Sequence, residues 1–261
     1  VAYDEAYVYL RLDVGKIDWS RAHYQIGIDT YRFDLGDTRL PNTGSRVPVG
    51  LEFVLDLAGP SASRVLVDHP YNLYKPVPIP GSKPQAIQYV YNPPFRTVAN
   101  DAGKWDSLVV VTNRRRIGRD GRIYPPLGYD RNRLLYARQS ETTLADWFAD
   151  AARGVIEVRL PWGMLEVVDP SSRSVLFGNP ATGKPASATT DGFRFVVESY
   201  DPSTKSAGET LPRGLRSMRA AEVATWTWPT WEVPQWHAEV KPVFGAMQKA
   251  FGSIPDHPAT R

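Results

Sequence analysis

Apolar residues in this chain recur mostly at every second position. In "YVYLRLD", Tyr7, Tyr9 and Arg11 point one way and Val8, Leu10 and Leu12 the other. That alternation is the signature of a strand with one buried face. "HYQIGIDTY" places Tyr24, Ile26 and Ile28 together, and "GLEFVLDLAG" sets Leu51, Phe53, Leu55 and Leu57 against Glu52 and Asp56. "SRVLVDHP" adds a further short strand. Between them lie "DLGDTRLPNTGSRVPVG" and "GPSAS", rich in residues that favour turns, each for its own backbone reason. Short strands punctuated in this way predict an all-β fold, an antiparallel β-sandwich of jelly-roll or immunoglobulin-like type.

The regularity breaks after His69. "HPYNLYKPVPIPGSKPQAIQYVYNPPF" predicts a surface excursion rather than a core strand series, because proline cannot donate to a ladder. "DSLVVVTNRRRIGRDGRIYPP" predicts a hairpin around Gly118 to Gly121, with Asp120-Gly121 as the turn. "LLYARQS" is a strand candidate, and "TLADWFADAA" is the clearest short helix. In "GVIEVRLPW", Val155, Glu157 and Arg159 alternate with Ile156, Val158 and Leu160. "SVLFG" and "DGFRFVVESY" supply two more strands, the second with Phe193, Phe195 and Val197 on one face.

Beyond Tyr200 come a loop, the stretch "WTWPTWEVPQW", and then Val240, Val243, Phe244, Met247, Ala250 and Phe251 at helical spacing, with Gly252 as a stop. Trp226 and Trp228 share one side of an extended segment, which predicts a structural clasp rather than a sugar platform. Trp236 is the member expected to stay exposed. These readings give a β-sandwich over residues 1–205, with an irregular insertion around 70–150. A tryptophan-rich strap and amphipathic helix over 206–261, a C-terminal helical extension, is expected to pack on the same domain.

Composition narrows the chemistry. Hydrophobic residues at 42% and charged residues at 23% are ordinary for a globular domain. A net charge of only +3 gives little support to a nucleic-acid partner. The absence of cysteine rules out disulfides, thiolate catalysis and cysteine-ligated metals. No stretch is apolar for long enough to span a bilayer, so no membrane partner is expected. The chain opens inside a strand pattern without an initiator methionine, which suggests a fragment of a longer protein. Nucleophile elbows, phosphate-cradling glycine loops and His-Glu-x-x-His are absent.

Three sets of residues remain as candidates. "NRRRIGRDGR" gathers Arg114, Arg115, Arg116, Arg119 and Arg122; guanidinium forks match carboxylate and phosphate, so Arg114 and Arg116 are candidate ligand contacts, against a solvated hairpin. Asp29, Asp34 and Asp37 lie near one turn and could supply oxygens to a structural calcium, although the spacing is not an EF-hand. Glu52 and Glu157 are the mid-strand carboxylates a glycosidase would have to place across a cleft; outward charges on a solvated sheet are the simpler account. The four histidines are scattered, with no pair at metal spacing.

The segments "YDEAYVYLRLDV", "GLEFVLDL" and "GVIEVRLPWGML" resemble, in that order, the strand signatures of carbohydrate-binding module family nine and the DOMON-like superfamily. The resemblance covers the two ends of the first two hundred residues; the stretch from His69 to Ala152 departs from it. It implies a β-sandwich whose members bind sugars, haem or nothing known. Sugar binders of the group clamp a terminal sugar between two tryptophans, and the candidates here are Trp19, Trp105 and Trp147. Trp162, after Pro161, matches a mainly structural position. Haem-binding members use a Met and a His; Met164 is available, but it sits in "PWGML", read as a core turn. The resemblance therefore implies a non-catalytic carbohydrate-binding or accessory module of a larger, secreted or cell-surface, bacterial-type polysaccharide-active protein, with no cofactor. Its partners would be a carbohydrate and a neighbouring domain of the same polypeptide. The alternatives are a structural domain packing on a catalytic neighbour and, further off, a glycan-processing enzyme.

Overall fold

The computed structural model describes residues 1–82, 86–91, 98–130, 132–179, 181–231, 241 and 243–253. The chain forms two compact units, Val1–Thr230 and Trp231–Arg261. In the first, strands dominate and are almost all antiparallel, as the alternation predicts. One sheet has four strands in the order Ala2–Tyr3, Tyr7–Asp13, Val155–Pro161, Trp147–Asp150. Its register sets Val8 opposite Leu160, Leu10 opposite Val158 and Leu12 opposite Ile156. All six are buried, so one face is an apolar ladder. The other face carries Tyr9 opposite Arg159 and Arg11 opposite Glu157.

A second sheet has seven strands, running Asp106–Ser107, Arg64–Val67, Phe53–Leu57, His23–Asp29, Phe193–Tyr200 and Ala207–Leu211, with Thr225–Trp226 also paired to Phe193–Tyr200. One of its faces carries Tyr24, Ile26, Ile28, Phe53, Leu55 and Leu57, all buried. Trp19 joins this sheet to the first: its ring meets Trp147 at 5.5 Å and Tyr24 at 6.0 Å, edge to face. Two sheets with facing apolar sides give a sandwich-like arrangement.

The opposite face of the seven-stranded sheet is covered as well. The antiparallel pair Gly36–Arg39 and Arg46–Leu51, extended by Ala99–Asn100 in parallel, brings Leu40, Val47, Val49 and Leu51 onto Val54, Leu66 and Val196. This third layer is why the charged positions of the central strands are inside. Glu198 is fully buried; its Oε1 accepts from Gln25 Nε2 at 3.0 Å and Thr43 Oγ1 at 2.6 Å, and its Oε2 from Arg216 Nη2 at 2.9 Å. Tyr200 donates to Asp56 Oδ1 at 2.6 Å, and Arg194 to Asp29 Oδ2 at 3.0 Å. Every buried carboxylate here has found donors, as desolvation demands.

Several expectations change. Glu52 and Asp56 do not face water. Glu52 is buried where the chain crosses from Arg46–Leu51 into Phe53–Leu57, and its Oε2 accepts from the Thr30 N–H and hydroxyl at 2.7 and 3.0 Å. "TLADWFADAA" is not a helix. Trp147–Asp150 is a strand on Val155–Pro161, because Trp147 turns inward and Phe148 outward, a period of two. The proline-rich stretch forms a hairpin, Tyr74–Pro78 with Ile87–Tyr91. Ile79 donates to the Ala86 carbonyl, so by alternation positions 76 and 78, where proline has no N–H, point away from the partner. The hairpin expected at Gly118 to Gly121 is present, between Arg116–Ile117 and Ile123–Tyr124. The central sheet also runs past residue 205, through Leu211 and Trp226.

The clasp is visible in part. Trp228 is buried, donates Nε1–H to the Pro170 carbonyl at 2.7 Å, and meets Trp162 at 4.7 Å and Phe193 at 5.2 Å. Trp226 packs on Tyr3, Phe193 and Phe195. Trp162 and Met164 are buried in the turn after Pro161. Trp236 lies outside the described residues. In the second unit Val243–Gly252 is a helix, and its Val243, Phe244, Met247 and Phe251 are exposed.

Two glycines let the layers approach. A Cβ on Gly27 would lie 2.4 Å from Leu51 Cδ1, whereas one on Gly50 would lie 1.6 Å from the Leu35 carbonyl oxygen. Side-chain tips can shift and a packed backbone cannot. Gly27→Ala should therefore cost about 1–3 kcal/mol by overpacking, and Gly50→Ala more. Urea midpoints at unchanged slope check the order; equal midpoints would contradict it.

Candidate functional site

The tryptophans expected to stack on a sugar are committed elsewhere. Trp147 is only 2% exposed, under Trp19 and Tyr136. Trp19 is half-buried as the lid over it, and its carbonyl lies 3.0 Å from His23 Nε2. Trp105 packs against the Leu40 cluster and donates Nε1–H to the Arg39 carbonyl at 2.8 Å. Trp147 has no accessible ring face, while Trp19 and Trp105 are half-buried against the core. The structural cause is shared: each ring closes a gap between layers.

The three aspartates do not converge. Asp29 is buried on Arg194 and the Tyr31 N–H, and burial lifts its carboxyl above the usual range against the pull of Arg194. Asp34 pairs with Arg32, while Asp37 accepts from the Arg39 and Gly103 N–H groups. Among the described residues no three His, Asp or Glu side chains gather as a metal-ion group. Glu52 and Glu157 are also apart, one buried at the crossover and the other exposed on the four-stranded sheet. Arg114 and Arg116 are both exposed on the excursion.

What the fold does assemble is the outer face of the four-stranded sheet. Phe148 stands opposite Glu157, and Glu157 opposite Arg11; one step along, Arg159 stands opposite Tyr9. Two rings thus flank a carboxylate and a guanidinium on one pleated surface. A groove of about 290 Å³ opens there, lined by Tyr9, Phe148, Glu157, Arg159, Arg138 and Gln139. Arg159 lies over the Tyr7 ring at 4.6 Å and donates to the Ala145 carbonyl at 2.7 Å, which holds the 143–145 segment at the groove's rim. Arg138 lies 4.9 Å over Phe148. The hydrogen bond to Asp4 pushes the Tyr9 phenol up to about 12, with burial adding to it, so at neutral pH Tyr9 is an uncharged ring fixed in place. A larger cleft of about 640 Å³ lies between Leu12–Lys16 and Gly208–Gly214. Its one aromatic ring, Tyr24, is 7% exposed and meets Trp19 edge to face, so that cleft offers no stacking surface. The outward set was half visible in sequence as Tyr7, Tyr9 and Arg11 against Glu157 and Arg159. Phe148 was hidden by the helical reading of its segment.

A third constellation is buried. His69 sits between Asp68 and Glu166, with Nδ1 in a short hydrogen bond to Asp68 Oδ1 and Nε2 3.2 Å from Glu166 Oε2. Burial pulls the imidazole down, but the two carboxylates outweigh it and raise it to about 9. Both ring nitrogens are engaged away from solvent, which fits a structural cation rather than a base.

The fold and site define an all-β, sandwich-like protein with an aromatic and charged sheet face. No protein-family model, no curated protein and no solved structure matches the chain.

His69 generates a pH test. A cation whose folded value is raised from 6.5 to about 9 adds stability that is complete below about 6.5 and lost as pH rises through 9. Unfolding free energy should therefore fall between pH 6.5 and 9, and His69→Gln should remove much of that slope. A slope unchanged in His69→Gln would show that the charge is not held.

Proposed function

We propose that this chain is a non-catalytic carbohydrate-recognising module, an accessory to a larger secreted or cell-surface polysaccharide-active protein. The observation that carries this reading is the groove on the four-stranded sheet. Tyr9 supplies apolar ring surface for a sugar's C–H face, Phe148 adds apolar surface beside it where Arg138 does not cover its ring, and Glu157, Arg138 and Gln139 supply donors and acceptors for hydroxyls. All of these except Arg138 and Gln139 stand on paired strands, which fixes them more closely than loops would. The likeness of "YDEAYVYLRLDV" and "GVIEVRLPWGML" to strands of carbohydrate-binding module family nine supports the same reading, since these two segments form the groove's central pair of strands. The carboxylate pair that hydrolysis would use is split between two environments, so the accessory role is favoured over an enzyme.

A second reading has its own support. The exposed Val243, Phe244, Met247 and Phe251 form an apolar helix face of the kind that docks on a neighbouring domain of the same polypeptide. Among the described residues no helix is long and apolar enough to cross a membrane.

A glycan array followed by calorimetry on the best neutral oligosaccharide tests the groove. Phe148→Ala and Tyr9→Ala should each weaken binding roughly 3- to 10-fold with little change in melting. Trp147→Ala should instead lower stability by about 3–5 kcal/mol, because it empties a core position. Silence across the array, or binding indifferent to both ring deletions, would sink the assignment.

A further inference from the structure

The excursion between the core strands is electrostatically unlike the rest of the chain. Residues 70–130 hold nine lysines and arginines against four aspartates and no glutamate. The whole chain is only +3, so this segment accounts for more than all of the net positive charge. Several arginines of the body are paired with carboxylates, among them Arg32 with Asp34, Arg64 with Asp56, Arg194 with Asp29 and Arg216 with Glu198. Arg114, Arg115, Arg116, Arg119 and Arg122 have no carboxylate within ion-pair distance among the described residues, and all but Arg115 are exposed.

These cations are mounted on a defined scaffold. The Tyr74–Pro78 hairpin is tied to the next pair, Val109–Asn113 with Leu127–Asp130, by Asn72, which donates to the Val109 carbonyl and accepts from the Val111 N–H. Tyr89 accepts from the Arg115 N–H at 2.7 Å. The Arg114 guanidinium lies over Tyr74 and Tyr89, at 5.2 and 4.8 Å from their centroids, and Arg122 lies 5.5 Å over Tyr124. Beside them opens a groove of about 460 Å³ lined by Arg114, Arg116, Tyr124 and Leu127. Stacking limits the rotamers of Arg114 and Arg122 before any ligand arrives, which lowers the entropy cost of binding.

We propose that this arm is a second recognition site, for an anionic polysaccharide whose carboxylates are taken by Arg116, Arg119 and Arg122. Guanidinium forks pair bidentately with carboxylates. Arg114 and Arg122 already cover one face of Tyr74, Tyr89 and Tyr124, which leaves less ring surface for bases and favours a backbone-charged glycan over single-stranded nucleic acid. The choice of a glycan also rests on the reading of the chain as a carbohydrate module.

Affinity electrophoresis through polygalacturonate, with neutral dextran and a thymidine oligonucleotide as comparisons, tests this. The native chain should be retarded by polygalacturonate, with affinity falling at least ~10-fold between about 50 and 500 mM salt as the charges are screened. Arg116→Gln with Arg119→Gln and Arg122→Gln should lose at least ~10-fold while keeping the native melting temperature, since none of the three is in an ion pair among the described residues. Three results would overturn the inference: no retardation, retardation unchanged in the triple variant, or the oligonucleotide held as tightly as polygalacturonate. A chain that binds neutral glycans through Phe148 but ignores polygalacturonate loses only the arm. One that binds polygalacturonate through the arginines and no neutral glycan loses only the sheet groove.

Discussion

A carboxylate in the middle of the central sheet constrains the rest of this fold. Glu198 has no exposed surface, and its oxygens are bonded by Gln25, Thr43 and Arg216. Burying such a charge gains nothing over a well-packed apolar side chain, yet leaving it without donors would cost several kcal/mol. The donors come from three separate segments, the neighbouring strand, the turn before Arg46–Leu51 and the 3₁₀ turn Leu215–Ser217. All three must be in place together. A slip of one residue in the pairing of His23–Asp29 with Phe193–Tyr200 would put Glu198 and Gln25 on opposite faces, leaving one of them on the side of Ile26, Ile28 and Phe53. The polar layer therefore makes the register nearly unique, and the third sheet follows because something must supply Thr43 and cover the network.

That arrangement determines where ligands can go. With both faces of the seven-stranded sheet covered, its side chains are spent on packing. The four-stranded sheet buries only the face with Val8, Leu10, Ile156 and Val158, so its other face is left to solvent. Tyr9, Phe148 and Glu157 project from strands whose opposite side is locked in the core. Such a surface can be substituted without collapse, whereas Trp19 and Trp147 cannot leave the seam between the sheets.

Many of the strands could be located from alternation, because a half-buried strand imposes a period of two whatever its partners. What alternation cannot show is which polar face is also covered. Glu52, Asp56 and Glu198 look like solvent positions in sequence; their partners Thr30, Tyr200 and Arg216 are 22, 144 and 18 residues away. Trp147 was lost for a different reason. "LADWFADAA" has good helix formers, and local propensity gave way to the pairing of Trp147 with Val158 and Asp150 with Val155. Of the candidate site, Tyr9, Arg11, Glu157 and Arg159 could be placed on one face each, but only the register joins the two faces. The arginine hairpin was legible outright, because Asp120-Gly121 marks its turn locally.

The two surfaces differ in the range of the forces they use, and this decides how they would act together. Stacking on Tyr9 and Phe148 operates at contact distance and is nearly indifferent to salt. The arginines of the arm, unpaired among the described residues, would act over a Debye length, about 8 Å at physiological ionic strength, and raise the local concentration of an anionic chain before any contact forms. If both sites meet one heteropolymer, charge governs encounter at the arm and shape governs discrimination in the groove. Linking two such sites on one scaffold turns the second contact into an intramolecular one, so modest affinities at each multiply rather than add.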